Sequence, residues 1–133
     1  MATLRETTHF LLDSYTAGED IDLSDGYDKV GRFKNEGQIY LCGADESPQV
    51  LILSSAEAGE PVRVAFLGMG QVQLGLSGTG NKGDKLRVGA GGIIKQSSRS
   101  QTEEQNADDI GISFENWFDG DKVECLLLKG DKA

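Results

Sequence analysis

One short pattern occurs four times in this chain: a glycine, an acid, any residue, then apolar residues at alternate positions. It is written AGEDIDL at residues 17–23, AGEPVRV at 58–64, KGDKLRV at 82–88 and DGDKVEC at 119–125. Glycine takes a positive φ at no steric cost, and an acid next to it can accept hydrogen bonds from turn amides. Apolar residues at every second position are the signature of a strand with one buried face. The pattern therefore reads as a tight turn that launches a strand, with Gly18, Gly59, Gly83 and Gly120 at the four turns. Their spacing is uneven, which excludes a solenoid or propeller of fixed period.

Composition supports the same reading. Glycine supplies 18 of the 133 residues and proline only 2, and the glycines are interleaved with Val, Ile and Leu rather than gathered in polar tracts. Strands are expected near residues 38–41, 50–53, 62–66, 71–76, 85–88, 92–95, 110–114 and 122–128. VRVAF and QVQLGL, separated by LGMG, predict a hairpin, and GAGG predicts a second one between KLRV and IIK. Residues 96–109 have no apolar member except Ala107 and are expected to form an exposed polar loop. The first 17 residues carry Leu4, Phe10, Leu11 and Leu12 without strand alternation, which predicts an arm or a short helix. The expected fold is mainly β: a single small domain, 18–133, built as a β-barrel or β-sandwich-like fold of short strands and tight turns, with an N-terminal arm, 1–17, and at most one short helix.

Several functions are disfavoured by the residues themselves. The formal net charge of -9 opposes the phosphate neutralisation that drives nucleic-acid binding, and it opposes docking on an anionic membrane. No apolar run is long enough to span a bilayer, and the N-terminus lacks the order of a secretory signal. Cys42 and Cys125 stand alone among apolar neighbours and read as buried free thiols. Gly78, Gly80 and Gly83 spell G-x-G-x-x-G, but a dinucleotide loop needs a helix after it to hold the pyrophosphate, and DKLRV is a strand. The single histidine, His9, has no recognisable catalytic partner. Asp20, Asp22, Asp25 and Asp28 are close enough to raise the question of a cation, although their spacing misses the order of a calcium loop. No enzyme activity, cofactor or metal is expected from these patterns.

Taken in order, AGEPVRVAFLGMGQVQLG, GNKGDKLRVGAGGIIKQ and DDIGISFENWFDGDKVECLLL resemble the capsid cement, or decoration, proteins of tailed bacteriophages. The resemblance spans residues 59–128. It implies a small, β-rich, non-enzymatic protein on the outer surface of the virion, made in the host cytoplasm. Such proteins trimerise at three-fold positions of the expanded head and bridge subunits of the major capsid protein. On this reading the N-terminal arm is the capsid-binding segment, with Leu4, Arg5, His9 and Phe10 as its contacts, and Trp117 and Phe118 are anchors of the subunit interface. The polar stretch 96–109 and SFENW at 113–117 depart from the family pattern.

A second reading is a small β-barrel that binds a ligand or glycan on a phage tail or cell surface. It requires Trp117 and Tyr40 to be exposed stacking platforms.

Overall fold

The computed structural model describes residues 2–4, 12–44, 46–97 and 109–128. Among these residues the chain forms β1 (Thr3–Leu4), β2 (Leu12–Thr16), β3 (Val30–Lys34), β4 (Gln38–Leu41), β5 (Val50–Ile52) and β6 (Pro61–Phe66). It continues with β7 (Met69–Gly75), β8 (Lys85–Val88), β9 (Ile94–Gln96), β10 (Asp109–Ser113) and β11 (Lys122–Leu128). A single 3-10 turn at Ala90–Gly92 joins β8 to β9. The strands make two antiparallel sheets, ordered β1-β7-β11-β10-β8-β9 and β2-β6-β5-β3-β4. The expected mainly-β, sandwich-like architecture is thus the one observed.

Alternation decides which residues enter the core between the sheets. On β11, Val123, Cys125 and Leu127 are buried, and on β7 and β8 so are Val72, Leu74, Leu86 and Val88. They meet Val30, Leu51 and Ala65 from the five-stranded sheet, and together these residues form the larger core cluster. β5 does not alternate, because Val50, Leu51 and Ile52 are all fully buried. Leu51 faces the larger core, whereas Val50 and Ile52 belong to a second cluster with Ala17, Ile21, Ile39, Val62 and Val64. An uninterrupted apolar run is what a strand buried on both faces requires.

The second core exists because the five-stranded sheet curls. Its first and last strands approach at one bridge between Ala17 and Ile39, with the Gly18 amide donating to the Ile39 carbonyl at 2.8 Å. Tyr15, Phe33 and Phe66 pack against this cluster, with Tyr15 meeting Phe33 edge-on at 4.9 Å between ring centroids. The sheet does not close fully, so the sandwich and not the barrel is realised.

Three expectations need correction. VRVAF and QVQLGL are not a hairpin: β6 lies between β2 and β5, β7 lies between β1 and β11, and Leu67–Gly68 carries the chain from one sheet to the other. Both runs alternate well, but alternation reports a buried face and not a partner. The described parts of the first 17 residues are strands. β1 pairs with β7 and β2 with β6, while Ala2 is buried in the larger core and Leu4 packs against it. Finally, β3 was not anticipated, because Gly31 and Arg32 interrupt its apolar pattern. Gly31 is required there, since a Cβ would lie 2.6 Å from the Tyr40 carbonyl oxygen.

Candidate functional site

Three of the four glycine-acid motifs build one and the same turn. In residues 57–60, 81–84 and 118–121 the amide of the acid donates back to the carbonyl of the first residue, at 2.9, 3.0 and 3.0 Å. The carboxylates of Glu60, Asp84 and Asp121 accept in return from the amides of Glu57, Asn81 and Phe118, at 3.0, 2.7 and 2.9 Å. Gly59, Gly83 and Gly120 occupy the third position with φ of 89°, 88° and 85°. That left-handed geometry is the one a type II turn demands. Each glycine amide also donates to a distant carbonyl, of Ala17, Ser113 and Leu76 respectively, each at 2.8 Å. Each turn then enters a strand: β6, β8 or β11.

The fourth copy is different in kind. Gly18 is no turn glycine and leads into no strand; a Cβ there would meet the Tyr40 ring at 2.2 Å. It lies on the strand end that receives the 57–60 turn.

Two of the turns flank a single contact. Gly80 and Trp117 form an antiparallel bridge, with amide-to-carbonyl distances of 3.2 and 3.0 Å. The turn at 81–84 follows one partner and the turn at 118–121 follows the other. The indole lies on Gly80, where a Cβ would come within 2.1 Å of the ring, and its Nε1 donates to the Ser77 carbonyl at 3.3 Å. Only 2% of Trp117 is exposed, whereas Phe118 is 74% exposed. A cleft of about 320 Å³ opens beside the bridge, lined by Thr79, Gly80, Asn81, Gln96, Asn116, Trp117 and Phe118.

The loop carrying Phe118 is held on several sides. Asp119 accepts from the Tyr27 hydroxyl at 2.6 Å and from the Gly78 amide at 2.7 Å. These bonds, the phenol first, hold its carboxyl below the usual aspartate value, and the same pairing raises Tyr27. Phe118 is therefore an exposed aromatic on a firmly anchored turn.

The aspartates at 20–28 are engaged with the protein itself. Asp20 accepts from the Ala58 amide at 2.9 Å and Asp22 from the Ser24 amide at 2.8 Å. Asp25 pairs with Lys29 at 2.9 Å, and the ammonium lowers its carboxyl below the ordinary range. Asp28 is fully buried, accepts from the Gly75 amide at 2.6 Å and lies 3.2 Å from the Lys122 ammonium. Among the described residues no three His, Cys, Asp or Glu side chains gather as a metal site would require.

The remaining candidates fall as follows. Trp117 and Phe118 are adjacent in sequence but divided in role, since the first is core and the second is surface. Tyr40 is half-buried over Gly18, so neither it nor Trp117 is the open platform that the glycan reading required. Leu4 rests against the larger core, and Arg5, His9 and Phe10 lie outside the described residues, as does the polar stretch 98–108. The three glycines of G-x-G-x-x-G serve separate ends: a positive φ at Gly78, the indole contact at Gly80 and the turn at Gly83. Cys42 and Cys125 are buried free thiols, and burial pushes Cys125 up to about 12. No described helix is long and apolar enough to cross a membrane. The cleft residues Asn81, Gln96 and Asn116 were not singled out from sequence. Their only signal was proximity to the Gly83 and Gly120 motifs.

No protein-family profile matches the chain, and no curated protein matches its sequence. Among solved structures it is similar to the head fiber gp8.5 N base in bacteriophage phi29. The TM-score is 0.66 at 12% identity, covering 90% of this chain and 94% of that one. The likeness is one of fold.

Proposed function

We propose that this protein is a structural component of a phage head, a decoration protein that binds the outside of the mature capsid and bridges subunits of the major capsid protein. The observation that carries the reading is the fold-wide likeness to the base of a phage head fiber, extending over nearly the whole of both chains. The order of glycine-acid turns and strands along residues 59–128, which resembles the decoration proteins, supports it independently. Function here is adhesion and not catalysis, and it requires neither cofactor nor metal.

The physical logic is that of a clamp. A two-sheet body with short turns provides a stiff surface, and a net charge of -9 keeps the outside of the particle soluble and off nucleic acid. Assembly as a homotrimer at a local three-fold gives three modest contacts that act together, so detachment of one is followed by rebinding before the others release. The capsid contact is assigned to the N-terminal segment that includes β1 and β2, each an outer strand of its own sheet, with Leu4, Arg5, His9 and Phe10 as its contacts.

The test uses heads from a phage deleted for this gene. Purified full-length protein is added to expanded heads, and the particles are imaged and heated. The expected result is new density on the outer surface at three-fold positions together with a higher temperature of genome release. Density confined to the tail, or saturating protein with no binding to the heads, refutes the reading. Light scattering of the free protein reports whether the trimer forms before attachment.

A further inference from the structure

The Gly80–Trp117 bridge has a counterpart in the other sheet, and the pair isolates what the sequence has chosen to place there. Ile21 and Ala56 form the same antiparallel bridge next to the 57–60 turn, and a cleft of about 430 Å³ opens beside it too. That cleft is lined by Asp20, Asp22, Glu57 and Glu60. The backbone device therefore produces a cleft in either setting, while the side chains around it are free to vary. Beside Trp117 the described residues of the lining carry no charge: Thr79, Asn81, Gln96, Asn116 and the Phe118 ring surround it.

The amides there are oriented by bonds made at one end. Asn116 Oδ1 accepts from the Lys82 amide at 2.7 Å, which leaves its NH2 as a donor. Gln96 Nε2 donates to Asp84 at 2.5 Å, which leaves its carbonyl oxygen as an acceptor. Asn81 is fixed through its backbone, whose amide and carbonyl both serve the 81–84 turn, and its side-chain amide remains available. Side-chain donors and acceptors thus stand ready around an exposed ring held by an anchored turn.

We infer that this cleft is a binding site for a neutral saccharide, with Phe118 packing on the apolar face of a sugar ring and Asn81, Gln96 and Asn116 hydrogen-bonding its hydroxyls. A hydroxyl both donates and accepts, so a diol is matched by amides offering both functions. The C–H face of a pyranose is a flat apolar surface suited to an aromatic ring. A phosphate or a carboxylated sugar finds no cation among the described residues of the lining and meets a chain of net charge -9. The inference concerns the chain by itself and is independent of the head-protein reading.

The experiment begins with the full chain on an array of neutral and acidic bacterial surface oligosaccharides. Neutral binders are then titrated while the side-chain amide resonances of Asn81, Gln96 and Asn116 are followed by NMR. Neutral glycans are expected to bind and to shift those three amides. Phe118→Ala is expected to weaken binding by roughly tenfold, the scale of one aromatic contact. Asn116→Asp, which keeps the acceptor for Lys82 but replaces the donor with a charge, is expected to weaken it as well. Glu57→Gln in the acidic cleft leaves binding unchanged, and thermal melts confirm that each variant is folded. Three results overturn the inference: binding only to acidic glycans or to none; shifts that bypass these amides; or a folded Phe118→Ala that binds glycans normally. Loss of oligomer or of head attachment in that variant, with glycan binding intact, assigns Phe118 to a protein contact instead.

Discussion

Substituting Gly59 separates backbone strain from every other cost a mutation can have. The residue sits at φ 89°, and an added Cβ meets nothing within 4 Å. Alanine there clashes with no neighbour, so its penalty is the left-handed conformation alone, about 1–2 kcal/mol for an L-residue. The stiffer unfolded chain returns about 0.4–1 kcal/mol of destabilisation in the opposite sense. The expected net loss is therefore about 1 kcal/mol, or a fall in Tm of roughly 3–6 °C for a chain of this size. Asparagine, which tolerates the left-handed region, should lose less than alanine, and valine, branched at Cβ, should lose more. Gly111→Ala supplies the contrast: there a Cβ would lie 2.1 Å from the Leu126 carbonyl oxygen, so backbone must move and the loss should be much larger. Urea denaturation of the four variants gives the ordering directly. If Asn and Ala at residue 59 are equally damaging, or if Gly59→Ala is as damaging as Gly111→Ala, the turn geometry is not what selects glycine.

The adjacent aromatics should diverge sharply. Trp117→Ala, which empties the site over Gly80, is expected to cost about 3–5 kcal/mol, whereas Phe118→Ala should stay within about 0.5 kcal/mol in the same denaturation assay. Cys125, pushed up to about 12 by burial and then by Glu115 and Asp28, remains a neutral thiol at pH 8. A thiol reagent at that pH should label neither cysteine until the protein is unfolded, and rapid native labelling of Cys125 would contradict its placement. Asp22, Asp25, Glu46 and Asp119 all lie below their ordinary values when folded. A lowered folded pKa means the unfolded chain takes up protons first. Stability from these groups is present above the ordinary carboxylate range and lost as pH falls through it, so melting temperature should decline from pH 6 to pH 3. Asp119→Asn should flatten part of that decline, and a pH-independent melt would refute it.

Local chemistry was legible in the sequence to the extent that it is local. The glycine-acid turns at Gly59, Gly83 and Gly120 follow from steric freedom at glycine and hydrogen bonding by the next acid, and β8 and β11 begin and end where their alternation does. Partnership was not legible. Nothing in VRVAF or QVQLGL says that one strand joins each sheet, because the signal for a buried face is the same in either sheet. The role of Trp117 was hidden for a similar reason: whether it is core or surface depends on Gly80, which lies far away along the chain and offers room for an indole only by lacking a Cβ. Gly18 shows the converse, a motif match whose glycine answers to the Tyr40 ring and not to a turn. The amides of the cleft carry no pattern of their own, and only the bridge brings Asn81, Gln96 and Asn116 together.

The meeting of Ala17 with Ile39 has a consequence for how such molecules behave in a crowd. An unpaired strand edge invites another chain to add to it, which is how β proteins begin to aggregate. In the five-stranded sheet the two outer strands turn toward each other, and among the described residues the outer strands of the six-stranded sheet are β1 and β9, of two and three residues. Copies packed side by side are thus offered little backbone to grasp, and self-association is left to side chains, where it can be made specific.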